Sequence, residues 1–207
     1  MNPRHTSRGI LICVSGPSGV GKGTVIRRLR ALEPGLLHSV SATTRPIRPG
    51  ETDGISYHFV SRTRFEEMIA AGDVLEYDEY CGNYYGTPAA PLEEAISRGT
   101  DVVMDVTVPG SLAVLERMPD AVSVFLLPPS FEELRNRLLH RGTERPEEME
   151  KRLAKARSEL GKASLFDYVV TNDSVEAAAG LIQSIIRPER SRYKRQAGIE
   201  EALIHNE

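Results

Sequence analysis

Gly16-Pro17-Ser18-Gly19-Val20-Gly21-Lys22-Gly23-Thr24 is the stretch whose reading decides the fold. Gly16, Gly21 and Lys22 satisfy the spacing G-x-x-x-x-G-K, in which glycines let consecutive main-chain N–H groups curl round a phosphate while the lysine reaches the terminal phosphates. The flanks supply the required order of strand, loop and helix. Ile10-Leu11-Ile12-Cys13-Val14 is a short apolar run suited to a strand buried on both faces. After the loop, Val25, Ile26, Leu29 and Leu32 recur at helical spacing, Arg27, Arg28 and Arg30 take the other side, and Pro34-Gly35 ends the run. The N-terminus of that helix adds partial positive charge to the anion site. Where the strict pattern has Ser or Thr after the lysine, this chain has Gly23. The hydroxyl that would face a phosphate or Mg²⁺ moves one place, to Thr24.

Working outward, the chain reads as strands alternating with helices. Apolar runs at Val102–Val106, Val122–Leu127 and Tyr168–Thr171 are strands. Helices run through Leu92 and Ile96, Leu112 to Met118, Leu134 and Leu138, Met149 to Leu160, and Leu181 to Ile186. That alternation predicts a mainly parallel sheet covered on both faces, with ligands at the C-terminal strand ends. The glycine loop, Asp105 and Asn172 all fall at such ends. Thr87-Pro88 reads as a helix start, and Ser130 with Glu133 as a capping box. The segment between the first helix and Thr87 has a different texture. It carries a strand at Leu37–Ser41, a proline-rich polar turn from Ala42 to Gly54, and a strand at Ser56–Val60. A short helix capped by Thr63 and Glu66 and a strand at Val74–Tyr80 turning at Cys81-Gly82-Asn83 complete it. It reads as a strand-rich insertion into a larger α/β unit.

The 207 residues suit one α/β domain with insertions, and 40% apolar with 27% charged residues is the balance of a soluble globular protein. A net charge of −3 argues against a dedicated nucleic-acid binder. Two cysteines, Cys13 in an apolar strand and Cys81 beside a turn, fit a reducing compartment better than a disulfide. No run reaches membrane-spanning length and no apolar signal core follows Met1, so a cytoplasmic location without membrane attachment is expected. The closing arginines and lysines, Arg187, Arg190, Arg192, Lys194 and Arg195, read as a solvated basic tail.

Three further stretches accompany the loop: Ser39-Val40-Ser41-Ala42-Thr43-Thr44-Arg45-Pro46-Ile47-Arg48-Pro49-Gly50-Glu51, then Gly82-Asn83-Tyr84-Tyr85-Gly86-Thr87, then Arg141-Gly142-Thr143-Glu144. With Gly16–Thr24, whose G-K-G-T is also the form of the loop in nucleoside monophosphate kinases, they closely resemble the guanylate kinase family over about residues 9 to 187. The resemblance implies an α/β fold of the P-loop NTPase type: a parallel sheet flanked by helices, with a strand-rich GMP-binding insertion and a helical lid. It divides the single domain into a core at about 9–38, 87–130 and 160–187, an insertion at about 39–86, a lid at about 131–159 and a tail at 188–207. It implies ATP and Mg²⁺ as donor and cofactor and GMP or dGMP as acceptor, in a monomer or homodimer.

Residue by residue, Gly16 to Thr24 would hold ATP, Lys22 would stabilise the β- and γ-phosphates, and Thr24 is the candidate metal ligand. Arg45 and Arg48, three apart in a loop braced by Pro46 and Pro49, would grip the GMP phosphate with the hydroxyls of Tyr57 and Tyr85. Guanine presents an N–H and an amino group side by side, which one carboxylate can accept; Glu76 matches that role, while Ser41 and Thr87 match the hydroxyls on the remaining base edge. By pattern alone Glu76 would be a solvated strand residue; Glu51 is carried with the substrate-binding residues and also fits a structural partner of a loop arginine. Arg137, Arg141 and Arg152 match the family's lid arginines and equally fit charged helical faces. Asn172 matches a residue beside the adenine, or a plain strand-to-helix turn. Asp105 would orient the acceptor or a hydrated Mg²⁺. The chain departs from the family where Asp-x-Asp-x-Gln-Gly becomes Asp105-Val106-Thr107-Val108-Pro109-Gly110. Thr107 removes a carboxylate and Pro109 replaces an amide with a rigid ring. Two rival readings accompany the resemblance: a related P-loop kinase with another acceptor, and a catalytically silent guanylate-kinase-like protein-binding module.

Overall fold

The computed structural model describes residues 8–139, 146–196 and 199–204. The order is β1 (Leu11–Ser15), α1 (Lys22–Leu32), β2 (Leu37–His38), β3 (Ala42–Thr43), β4 (His58–Phe59), α2 (Arg62–Ala71), β5 (Val74–Tyr80) and β6 (Asn83–Pro88). It continues with α3 (Ala89–Ser97), β7 (Val102–Asp105), α4 (Val108–Arg117), β8 (Val122–Leu127), α5 (Phe131–Leu139), α6 (Pro146–Leu160), β9 (Tyr168–Thr171), α7 (Val175–Arg190), α8 (Tyr193–Gln196) and α9 (Ile199–Ile204). No helix among the described residues is long and apolar enough to cross a membrane.

Five strands form an all-parallel sheet in the order β2-β7-β1-β8-β9, with β1 at its centre. The apolar run of β1 is explained by burial on both faces. Ile10, Ile12 and Val14 point into one core with α1 and α7, while Leu11 and Cys13 point into the other with α3 and α4. Each such side chain contributes about 1.5–3 kcal/mol on leaving water. Burial pushes the Cys13 thiol up to about 12, so it is inert, and Cys81 is exposed and unpaired.

A second, four-stranded sheet in the order β4-β3-β6-β5 stands beside the first, with β6 antiparallel to β3 and β5. Its main hairpin closes between Tyr80 and Asn83 through Cys81 (φ 50°) and Gly82 (φ 75°). Two positive φ values are what a tight two-residue hairpin turn requires.

Three local expectations need correction. The run Leu37–Ser41 is not one strand: Leu37–His38 pair with Val102–Val103 in the core sheet, and pairing resumes at Ala42–Thr43 in the second sheet. Residues between them carry the chain from one sheet to the other. Thr87-Pro88 closes β6 instead of opening a helix, since a strand end tolerates the missing proline N–H, and α3 begins at Ala89. Helix α2 is capped by Ser61, whose hydroxyl accepts from the Arg64 N–H, because Glu66 pairs with Arg62 rather than reaching back. Ser130 does cap α5, accepting from the Glu133 N–H at 3.0 Å.

The basic tail is not a solvated end. Helix α7 runs on through Pro188 to Arg190, and Glu189, 3% exposed, accepts from the Tyr168 hydroxyl, Arg192 and Arg195. Burial alone would raise the Glu189 carboxyl, yet those donors hold it below its usual range. Arg190 meets Asp101 at 2.7 Å and Glu33 at 3.2 Å.

Candidate active site

The glycine loop follows the central strand and feeds α1. Gly16 has φ +142°, and a Cβ there would lie 2.5 Å from the Leu126 carbonyl oxygen, so neither its conformation nor its surroundings admit a side chain. Gly21 is the N-cap of α1 at φ 100° and offers no capping side chain, which leaves the first N–H groups of the helix open to an anion. Lys22 folds back on the loop, its ammonium donating to the Gly16 carbonyl at 2.8 Å.

Two side chains brace the loop from outside. The amide of Asn172, 3% exposed at the end of β9, donates to the Val20 carbonyl at 2.7 Å, and Arg137 on α5 donates to the same oxygen at 3.3 Å. The Asn172 amide thus grips the loop itself. Arg152 on α6 reaches the Ser18 hydroxyl at 3.3 Å, so α5 and α6 each send one arginine to the loop. Arg141 lies outside the described residues.

The loop opens onto a cleft of about 370 Å³. Its lining combines Gly16, Ser18 and Lys22 of the glycine loop, Ser41, Tyr57, Glu76, Tyr85 and Gly86 from the segment that holds the second sheet, and Asp105, Val106 and Thr107 from the end of β7 and the residues after it. Glu76 is the decisive lining residue. It is 8% exposed on β5 and accepts from the Thr87 hydroxyl at 2.8 Å. Burial raises its carboxyl above the usual 4.5, against the lowering effect of Thr87. A solvated strand face, the reading from pattern alone, fails because β5 is buried over its first three residues, Val74 to Glu76, and exposed only beyond them. A Cβ on Gly110 would stand 2.7 Å from Glu76 Oε2, so that glycine leaves room for the carboxylate.

Asp105 ends β7 close to the loop, where a side chain at Gly23 would meet its Oδ2 at 3.6 Å. Burial raises the Asp105 carboxyl, opposed by the charges of Lys22 and His38. Thr107, the residue that replaces a family carboxylate, is the N-cap of α4 and accepts from the Gly110 N–H at 3.1 Å. Pro109 then occupies the first turn, where its missing N–H has no partner to lose. Local helix geometry therefore accommodates both departures.

Beside the cleft, the Arg45 guanidinium forms a two-pronged pair with Glu51 and stands 5.1 Å from the centre of the Tyr57 ring. Glu51 also accepts from the Arg48 N–H at 2.9 Å, and these donors, Arg45 first, hold its carboxyl down to about 2. Glu51 is thus the partner of the loop arginine. The Arg48 side chain is exposed, and it is the main-chain N–H of Arg48 that shares Glu51 with the Arg45 guanidinium.

Thr24 lines a different hollow, shared with Gly19, Gly21, Arg137 and Asn172 on the outer side of the loop. No group of three or more His, Cys, Asp or Glu able to hold a metal occurs among the described residues. Sequence reasoning passed over Lys155 and Glu159, which α6 presents to the cleft; the Glu159 side chain is buried and its Oε2 has no hydrogen-bond partner among the described residues. The signal existed: Arg152, Lys155 and Glu159 are spaced three and four apart, on one helical face.

Residues 8–189 match the family model described as guanylate kinase. The chain belongs to the guanylate kinase family. It is 49% identical over 198 residues to a guanylate kinase of Symbiobacterium thermophilum, covering 95% of this chain and 94% of that one. It is 50% identical to a guanylate kinase of Lactococcus lactis, with 96% and 95% covered. Among solved structures, guanylate kinase from Anaplasma phagocytophilum superposes with a TM-score of 0.77 at 34% identity, covering 97% of this chain and 96% of that one. As a guanylate kinase family member the chain is a nucleoside monophosphate kinase, and neither the rival acceptor nor the silent binding module is favoured.

Proposed function

We infer that the protein transfers the γ-phosphoryl group of ATP to GMP or dGMP, giving ADP and GDP or dGDP. The observation that carries this reading is that Lys22 and the buried Glu76 line one cleft. A triphosphate lies along the loop from Gly16 to Thr24, on open N–H groups and Lys22. Arg137, Arg152 and Arg141 close over it. The acceptor phosphate takes the donors of Arg45, with Arg48, Tyr57 and Tyr85, and so competes with Glu51 for the same guanidinium fork. Guanine lies against Glu76, whose carboxylate accepts from the ring N–H and the amino group, with Ser41 and Thr87 on the remaining edge. The two base donors offset the desolvation that raises Glu76.

Phosphoryl transfer of this kind depends on positioning and charge neutralisation along the line of attack. The attacking atom is an already ionised phosphate oxygen, so no strong general base is required. Asp105 orients the acceptor. Mg²⁺ would be held on the cleft side of the loop beside Asp105 and would supply charge neutralisation there; Thr24, the other candidate oxygen, lines the separate hollow on the outer side of the loop. Residues 39–86 act as the acceptor-binding unit and 131–159 as the lid, and their closure excludes water and suppresses ATP hydrolysis.

An ADP-release assay offering GMP, dGMP, AMP and ribose phosphates tests the reading. Turnover selective for the guanine nucleotides is expected. Equal turnover with AMP would remove Glu76 as the base reader, and turnover with sugar phosphates alone would return the acceptor to the rival kinase reading.

A further inference from the structure

All strands of the core sheet run the same way, so the nucleotide cleft occupies one end of the sheet and leaves the other unused. At that other end, where β1 begins, lies a cavity of about 380 Å³. It is roughly 17 Å from the glycine loop, the length of a five-residue strand. Four cations line it, Arg8, Arg117, Lys194 and Arg195, against two carboxylates, Glu93 and Asp120. Two of the cations come from α8, in the basic tail that the phosphoryl-transfer reading leaves without a task.

The carboxylates do not satisfy the cations. Arg8 pairs with Glu93, and Lys194 with Asp120 at 2.8 Å. Arg195 is buried, its side chain 9% exposed. One terminal nitrogen donates to the Asp120 carbonyl and to Glu189, while its Nε has no acceptor among the described residues. A buried guanidinium N–H without a partner carries a desolvation cost that a bound oxyanion would remove. Arg117 donates to three main-chain carbonyls, of Gly72, Val74 and Leu75, and to no carboxylate in any hydrogen bond found among the described residues. The group with an unmet donor and the group bonded to carbonyls alone are both arginines, whose planar forks match phosphate oxygens. Leu11, Ile96 and Met118 give the same cavity an apolar side, so a ligand with a ring or carbon body is accommodated beside the charge.

We propose that this cavity is a second anion site for a phosphorylated small molecule, linked to the acceptor pocket through Arg117. The link is short. Arg117 holds the carbonyl of Leu75, and the next residue of β5 is Glu76. A phosphate that draws the Arg117 fork toward the cavity pulls on the strand that carries the base-reading carboxylate. The site itself stands independently of the GMP reading; only the link rests on it. Linkage is reciprocal, so whatever factor the anion applies to GMP affinity, GMP applies to the anion.

The probe is pyrophosphate, titrated into the full chain with ADP and GMP saturating so that both nucleotide cradles are filled. The readout is the arginine Nε–H resonances by NMR. A saturable shift of the Arg195 and Arg117 signals is expected, weakened about tenfold by Lys194→Gln, a partly exposed residue whose loss leaves the fold intact. Absence of the shift, an equal shift with chloride at matched ionic strength, or unchanged affinity in Lys194→Gln would each overturn the site. For the link, the KM for GMP is measured with and without pyrophosphate in the wild type and in Arg117→Gln. Competition at the active site persists in both proteins, so a pyrophosphate effect on KM at least threefold larger in the wild type supports the link. Identical effects overturn the link, and the resonance shift then decides the site alone.

Discussion

The two cradles of the cleft are built on opposite principles. On the core sheet, the anion site is main chain: three positive-φ glycines, an uncapped helix N-terminus, and a loop clamped by Asn172 and Arg137 at a single carbonyl. On the second sheet the site is side chain, with Arg45 held by Glu51 and Glu76 held by Thr87, each waiting in a pair that a ligand must join or displace. A main-chain cradle is rigid before the ligand arrives. A side-chain cradle borrows internal partners to keep buried charges satisfied, and ligand binding exchanges those partners.

Disrupting the main-chain cradle should have the largest effect. Gly16→Val forces a branched side chain into a positive-φ position against the Leu126 carbonyl, and ATP binding measured by calorimetry should be abolished. Lys22→Met keeps the loop but removes its charge. A fall in kcat of about 10²–10³-fold is expected, with GMP affinity retained; unchanged turnover would deny the lysine its task.

On the other side, Glu76→Gln should lower kcat/KM for GMP by roughly 10–100-fold while leaving the KM for ATP in place, since one charge-assisted acceptor is lost. Gly110→Ala tests the same carboxylate sterically. Its Cβ would stand 2.7 Å from Glu76 Oε2, so GMP affinity should fall and ATP affinity hold. Equal loss of both nucleotides in either variant would erase the distinction between the cradles. Because burial raises the Glu76 carboxyl, its ionised form, the one proposed to read guanine, should be lost at a higher pH than an ordinary glutamate as the medium is acidified. The pH profile of kcat/KM for GMP checks this.

A smaller effect separates Glu51. Its carboxyl is depressed from 4.5 to about 2, so the stability of its pairing is complete above 4.5 and is lost as pH falls toward 2. Glu51→Gln should lack that part of the acid-induced loss when denaturation midpoints are compared across the window. The smallest change concerns Thr107→Val, which removes the α4 cap and should cost about 1 kcal/mol in chemical denaturation.

The same contrast governs what could be read beforehand. The loop was legible because a main-chain site constrains residue type at fixed local offsets: only glycine fits Gly16, and the flanking apolar run and helical period follow within a few residues. Glu76 was not legible from its own surroundings, because the partners that bury it, Thr87 and Gly110, lie 11 and 34 residues away. The resemblance to a family singled it out as a candidate base reader, where periodicity gave only a solvated strand face. The basic tail misled for the same reason: its acceptors Asp120, Asp101 and Glu33 are distant in sequence, and only packing brings them beneath it.

The sequence by itself determined the alternation of buried strands and amphipathic helices, the position of the phosphate loop and the family, since each is written in local spacing or in contiguous motifs. Tertiary structure alone decided that one chain segment divides between two sheets, that Glu76 is buried, that Thr107 serves as a cap and that ion pairs tie the basic tail to the rest of the fold. Those outcomes depend on which remote groups share a buried volume, and burial of charge is settled by partners in space rather than by neighbours along the chain.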